Sequence, residues 1–124
     1  MIVSPMSLLD QFVHALGTRD FASLESTFAP DIGFRALLPP GLREAHTRSE
    51  AGQLYHRWFS DLQQFEMVGH TITPVGSRTH IGYRLLFVDE GIRKVNEQRL
   101  FVTTGQNGIE KLDLVCSGFI PRGE

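Results

Sequence analysis

Glu97 and Arg99 stand two positions apart in VNEQRLF, with Val95 and Phe101 at the same spacing on either side. In an extended strand such positions project from one face. A carboxylate and a guanidinium are then set among apolar neighbours. If that face lines a pocket, burial favours the protonated form of Glu97 and poises it as a general base, while Arg99 holds it ionised or binds an anionic group. These are the candidate catalytic residues. The competing reading is a cross-strand ion pair on an outer face or in a dimer contact, because structural ion pairs occur in the same patterns.

A candidate ligand-binding set surrounds this pair. Arg35 lies in IGFRALL with Gly33 and Leu37 on its face. Either it reaches a pocket mouth and pairs with Glu97 or Asp113, or its stem covers core surface and its head stays in water. Asp113 shares one strand face with Lys111, Val115 and Ser117, and Leu112, Leu114 and Cys116 share the other; either can point inward. Tyr83 travels with Ile81, Leu85 and Phe87, so its hydroxyl enters apolar surroundings and needs a partner there. Tyr55 and Trp58 fall on an amphipathic segment as core or pocket wall, and Phe101 accompanies the charged pair.

Other chemistries find little support. The single cysteine, Cys116, excludes an intrachain disulfide and fits a reducing compartment. It reads as a small buried apolar residue, since no nearby His-plus-acid arrangement marks a nucleophile. His14, His46, His56, His70 and His80 show no metal-ligand spacing, so no metal is expected. No glycine-rich phosphate loop is present, and no cofactor is expected. A net charge of −2 with scattered Lys and Arg argues against nucleic acid as a partner. No apolar run reaches the roughly 20 residues a bilayer span requires. The N-terminal stretch lacks a basic region and is broken by Asp10, unlike a signal peptide. A cytoplasmic protein with no membrane association is expected.

The elements that must position these residues follow from periodicity. The length of 124 residues suits one domain spanning 1–124. Ser4 before Pro5 predicts a helix start, Leu8, Leu9, Phe12, Val13 and Leu16 share a helical face, and Gly17 predicts the stop. Asp20 predicts the cap of a short helix containing Phe21, Leu24 and Phe28, with Pro30 beyond it. Segment 32–38 reads as a strand closed by Pro39-Pro40-Gly41, and 42–46 as a second. Thr47 and Glu50 have capping-box spacing, followed by Ala51, Leu54, Tyr55, Trp58, Phe59 and Leu62 on one face. Segments 65–75, 78–88, 92–104 and 109–120 then read as long strands joined by hairpin turns. The predicted class is α+β: N-terminal helices packed on a strongly curved antiparallel sheet that forms a cone with a pocket.

The stretch LLDQFVHALGTRDFASLESTFAPDIGFRALLPPG resembles the opening of the nuclear transport factor 2-like superfamily, and LDLVCSGFIP is similar to the ending of an uncharacterised bacterial branch. The superfamily includes ketosteroid isomerase, polyketide-cyclase-like proteins, scytalone dehydratase and limonene-epoxide hydrolase. The resemblance implies the cone-shaped fold. It carries over none of the isomerase's catalytic groups: its general-base Asp matches near Ala36, its helix tyrosine matches Phe12, and its neutral Asp matches close to Arg99. The Asp–Arg–Asp set of the epoxide hydrolase is not seen.

Three functions remain open, since this fold hosts several. One is a binding module for a small, largely apolar molecule. Another is a cofactor-free isomerase, dehydratase, cyclase or hydrolase using Glu97. The third is an interaction module dimerising through the outer sheet face, where Leu86, Val88, Leu100 and Val102 are expected to lie.

Overall fold

Leu9, Phe12, Val13 and Leu16 form the buried stripe of the first helix, α1 (Pro5–Thr18). The computed structural model describes residues 5–123, so the predicted Ser4 cap lies outside the described residues. Gly17 does not end the helix. Arg19 instead takes the left-handed conformation, with φ 55°. Its side chain explains this choice: Nη1 donates to the carbonyls of Phe59 (3.1 Å) and Leu62 (2.6 Å), and the guanidinium lies 4.9 Å from the Phe65 ring centroid. Arg19 thereby satisfies one carbonyl at the end of another helix and one just beyond it.

The short α2 (Phe21–Ser26) is capped by Asp20, which accepts from the Ser23 N–H at 3.2 Å. The strand β1 (Phe28–Leu38) begins earlier than the sequence predicts and passes through Pro30. Its ladder is irregular between Phe28 and Gly33, around the proline that has no N–H to give. After β2 (Gly41–Ala45), Thr47 caps α3 (Arg48–Phe59) by accepting from the Glu50 N–H at 3.2 Å, and Glu50 reaches back to the His46 N–H at 2.9 Å. Ala51, Tyr55 and Phe59 are the buried stripe of α3.

The remaining strands are β3 (Gln63–Val75), β4 (Arg78–Asp89), β5 (Ile92–Gly105), β6 (Gly108–Cys116) and β7 (Ile120–Pro121). They lie in the order β2-β1-β6-β5-β4-β3, with β7 paired to β5. All pairings are antiparallel except β1 with β6, which run parallel across the long connection such a pair requires. The segment expected as one strand over 109–120 breaks in two. Gly118 takes φ +84°, and Phe119 turns in to meet Phe87 at 4.8 Å and Phe59 at 6.2 Å between ring centroids. Ladder shifts between Met67 and Gly69 and between Thr103 and Thr104 add bends to long strands.

The sheet curls over α1 and α3. Its concave face carries Phe34, Ala36, Ile81, Tyr83, Leu85, Phe87, Leu100, Val102, Leu112 and Leu114, all buried against the helices. Aromatic edges tie the layers: Tyr55 contacts Phe12, Phe28, Phe34, Trp58 and Phe59. Together these make the α+β cone that the sequence predicts.

Candidate functional site

A cavity of about 360 Å³ opens at the end of the cone. Trp58 and Phe59 from the last turn of α3 form one wall, Leu38, Pro39 and Pro40 a second, and Gln98, Cys116 and Phe119 the floor. Two features of the chain shape it. The Pro39-Pro40 turn ends β1 at the rim, and the left-handed Gly118 ends β6 there, so neither strand runs on to fill the space.

The polar content of the cavity is small and uncharged. Gln98 is 1% exposed and sits opposite Tyr83 in the β4–β5 ladder. The Tyr83 hydroxyl donates to Gln98 Oε1. Because that hydroxyl has one proton, the 3.2 Å contact between the Tyr55 and Tyr83 oxygens takes its proton from Tyr55. The result is a directed relay, Tyr55 to Tyr83 to Gln98. Burial pushes both phenols well above their ordinary value of 10.0, so the relay is neutral. Gln98 lines the cavity, and its amide nitrogen makes no hydrogen bond to any described residue.

Cys116 is the register partner of Gln98 on β6 and lies beside it on the cavity floor. Asn96, fully buried on the same face of β5, donates from Nδ2 to Cys116 Sγ (3.0 Å) and to the Gly118 carbonyl (3.0 Å). The Gly118 N–H also points at the sulfur, 3.4 Å away.

The charged candidates lie elsewhere. Asn96, Gln98, Leu100 and Val102 face inward from β5, so Val95, Glu97, Arg99 and Phe101 face outward. The expectation that Glu97 and Arg99 line the cavity is corrected by this one-residue alternation. Burying two neutral amides costs less than burying a carboxylate and a guanidinium. Glu97 has a 47% exposed side chain and pairs with Arg84 at 3.4 Å. Arg99 is the register partner of Gly82, and with Glu97 they line an outer depression of about 430 Å³.

Arg35 and Asp113 do pair, at 2.9 Å, across the parallel β1–β6 junction, but on the outer face. Asp113 also accepts from Arg78 at 2.6 Å, and the Arg78 guanidinium carbon lies 5.9 Å from the Phe101 ring centroid. Of the ligand-binding set, Trp58 lines the cavity, Tyr83 and Tyr55 stand behind Gln98, and Arg35, Asp113 and Phe101 are outside. The sequence reading missed Gln98 and Asn96. The signal for them was the hydroxyl of Tyr83, which had to find a partner on a neighbouring strand.

The outer apolar surface also differs from expectation. Leu100 and Val102 are in the core, and Leu86 and Val88 are half-buried. The exposed large apolar residues include Leu37, Leu42, Phe101 and Val115, with Val68, Val75, Ile92 and Ile120 elsewhere. Leu42, Leu37, Val115 and Arg99 form one row across β2, β1, β6 and β5, and Glu44, Arg35, Asp113 and Phe101 form the next. Among the described residues no cluster of His, Cys, Asp and Glu could hold a metal ion, and no helix is long and apolar enough to cross a membrane.

A helix-capped, curved sheet with a mostly apolar cavity at its open end defines a class of cone-shaped α+β proteins. The fold is the nuclear transport factor 2-like fold, also called ketosteroid isomerase-like. A nuclear transport factor 2-like protein from Burkholderia thailandensis matches with a TM-score of 0.77 at 12% identity, over 90% or more of both chains (94% and 92%). A protein of ketosteroid isomerase-like fold from Catenulispora acidiphila, solved with trimethylamine, matches with 0.70 at 12% identity, over 86% of this chain and 82% of that one. An LEH-like epoxide hydrolase from M. tuberculosis matches with 0.70 at 14% identity, over 91% and 82%. At these identities the likeness shows the fold. No family model and no curated protein sequence matches the chain.

Phe12 is core, 5.9 Å from the Tyr55 ring centroid, and Ala36 is buried on β1. Arg99 points away, and its neighbour Gln98 takes the inward place.

Proposed function

We propose that the cone binds a small, neutral, largely apolar molecule that carries one hydrogen-bond acceptor, such as a ketone. The observation that carries this reading is Gln98, a 1% exposed residue lining an apolar cavity, whose amide oxygen is taken by Tyr83 while its amide nitrogen has no partner among the described residues. A guest's carbonyl gives that N–H an acceptor within apolar surroundings. The cavity falls in the size range of small-molecule sites. The residues lining it include no carboxylate, imidazole or basic side chain, so an anionic or cationic guest has no counter-ion. The same fact favours binding over general-base catalysis, because Glu97 stands on the far side of the sheet. The free thiol of Cys116 fits work in a reducing compartment, the cytoplasm.

Trp58 is the sole tryptophan and lines the cavity, so its fluorescence reports occupancy. A panel of steroid, terpenoid and aromatic ketones is titrated beside the matching hydrocarbons and carboxylic acids, with melting temperature as a second readout. Ketones are expected to bind best, and Gln98→Leu to erase their advantage over the hydrocarbons. Absence of any binder, or a preference for the acids, removes the proposal.

A second reading concerns the outer face, and the Leu42–Leu37–Val115 row favours it. We propose that a second copy of the chain covers this row. The face is six strands wide, about 24 Å at 4.8 Å per strand. With strands of 9 to 14 residues in its central part, it offers the roughly 800 Å² per partner that a stable interface needs. A two-fold contact sets the apolar row on itself, with the Arg35–Asp113–Arg78 cluster at its margin. Sedimentation at micromolar concentration is expected to give a dimer, and Val115→Asp a monomer. A monomeric wild-type chain ends this reading.

A further inference from the structure

Cys116 is the one titratable side chain on the cavity floor, and its surroundings are unusual for an inert core thiol. Two N–H groups point at its sulfur, Asn96 Nδ2 at 3.0 Å and the Gly118 backbone at 3.4 Å. Both support negative charge as it develops on sulfur. Independently, Gln98 is almost wholly buried, lines the same cavity and has an amide nitrogen with no partner among the described residues. Gln98 and Cys116 are register partners across β5 and β6. Side chains so placed have Cβ atoms about 4.5–5.5 Å apart on one face of the sheet. A nucleophile and a carbonyl-oxygen donor therefore stand side by side on the floor, next to the wall of Trp58 and Phe59.

We propose that Cys116 is a covalent capture site for α,β-unsaturated carbonyl compounds, with Gln98 holding the carbonyl oxygen while the sulfur adds to the β-carbon. This rests on the reading of the cavity as a site for neutral carbonyl compounds. In the step, the Sγ–C bond forms as the carbon–carbon π pair moves toward the carbonyl. The charge gathers on the oxygen that the Gln98 N–H contacts. The thiol proton ends on the α-carbon, so the product is a saturated thioether and nothing leaves. No oxidant or cofactor enters the balance. The spacing of the two side chains suits a molecule whose electrophilic carbon lies two bonds from its carbonyl carbon. The apolar walls select a hydrophobic enone over a charged one.

The test uses benzylideneacetone as the enone and benzylacetone as its saturated, unreactive counterpart. Intact-mass spectrometry follows adduct formation on the full chain, which has one cysteine. The folded chain is expected to gain one equivalent at least about tenfold faster than the same chain unfolded in denaturant, since the cavity presents the enone to sulfur. Cys116→Ser is expected to gain none, and Gln98→Leu to react about tenfold more slowly or worse. Comparison of folded and unfolded wild type needs no variant to fold. Equal rates in the two states, or an undiminished rate in folded Gln98→Leu, overturn the proposal. If benzylacetone still binds by Trp58 fluorescence in that case, capture fails and the cavity reading stands. If neither compound binds or reacts, both fail.

Discussion

Tyr83 and Gln98 are register partners on β4 and β5, and the phenol of one donates its only proton to the amide oxygen of the other. This contact fixes which end of the Gln98 amide faces the cavity. With Oε1 engaged by Tyr83, the nitrogen is the end presented to a guest.

Tyr83→Phe is therefore expected to do two things at once. It leaves Gln98 Oε1 and the Tyr55 hydroxyl without their partner, which costs about 1–3 kcal/mol of stability. It also frees the amide to turn, so ketone binding weakens. Urea denaturation and Trp58 titration of the same variant check both effects.

Tyr55 and Tyr83 are the only tyrosines, and burial first of all pushes both phenols well above 10.0. Ultraviolet titration is expected to show no phenolate in the folded chain through the range where free tyrosine ionises. The sign of the linkage follows. The unfolded chain loses these protons near pH 10 while the folded chain keeps them. The stabilisation is complete below that value and declines as pH rises above it. Phenolate absorbance is expected to rise together with the loss of fold, and a phenol that titrates normally in the native state counts against the buried relay.

Asp113 behaves in the opposite sense. Partial burial raises its carboxyl, but the hydrogen bonds from Arg78 and Arg35 outweigh this and hold it below the ordinary 3.8. Its contribution is present above that unfolded value and is lost as pH falls through the lower folded one. Asp113→Asn is expected to destabilise modestly at neutral pH, by less than about 1 kcal/mol for a partly exposed network. The gap between variant and wild type is expected to close in acid, read from melting curves on either side of the transition.

Gly108 takes φ +120°, and a Cβ built there stands 2.6 Å from the Thr27 carbonyl oxygen. That carbonyl accepts the Ile109 N–H at 2.9 Å, tying the turn before β6 to the start of β1. Gly108→Ala is expected to cost about 1–3 kcal/mol from backbone strain, before any cost of relieving the clash. A variant as stable as wild type in urea contradicts the close approach.

The helices and hairpins were legible because their signals are local. The stripe from Ala51 to Phe59 and the Thr47 cap need no knowledge of the rest of the chain, although the helix stops short of Leu62, which the same period would include. The inward face of β5 was not legible in the same way. Val95, Glu97, Arg99 and Phe101 make a half-apolar face, and so do Asn96, Gln98, Leu100 and Val102. Alternation alone does not choose between them. The choice is made by tertiary demand: Tyr83 requires a partner, Cys116 and Gly118 meet Asn96, and the charged pair keeps its water outside. The inward side of Tyr83 and the helical place of Trp58 were readable because apolar residues alone surround the first on its face and a strong helical period carries the second. The break at Ser117-Gly118 was hidden within a run that otherwise alternates like one strand.

The parallel seam between β1 and β6 has a bearing on how the chain is made. Phe34 lies beside Leu112, so the first strand to leave the ribosome waits for nearly the last before its inner edge is closed. Until then the β1–β2 hairpin and the helices have an open border, and only β6 seals it. Such distant pairing slows folding and leaves sticky edges exposed during synthesis. The nascent chain therefore has most need of chaperone shelter in the interval before Leu112 emerges.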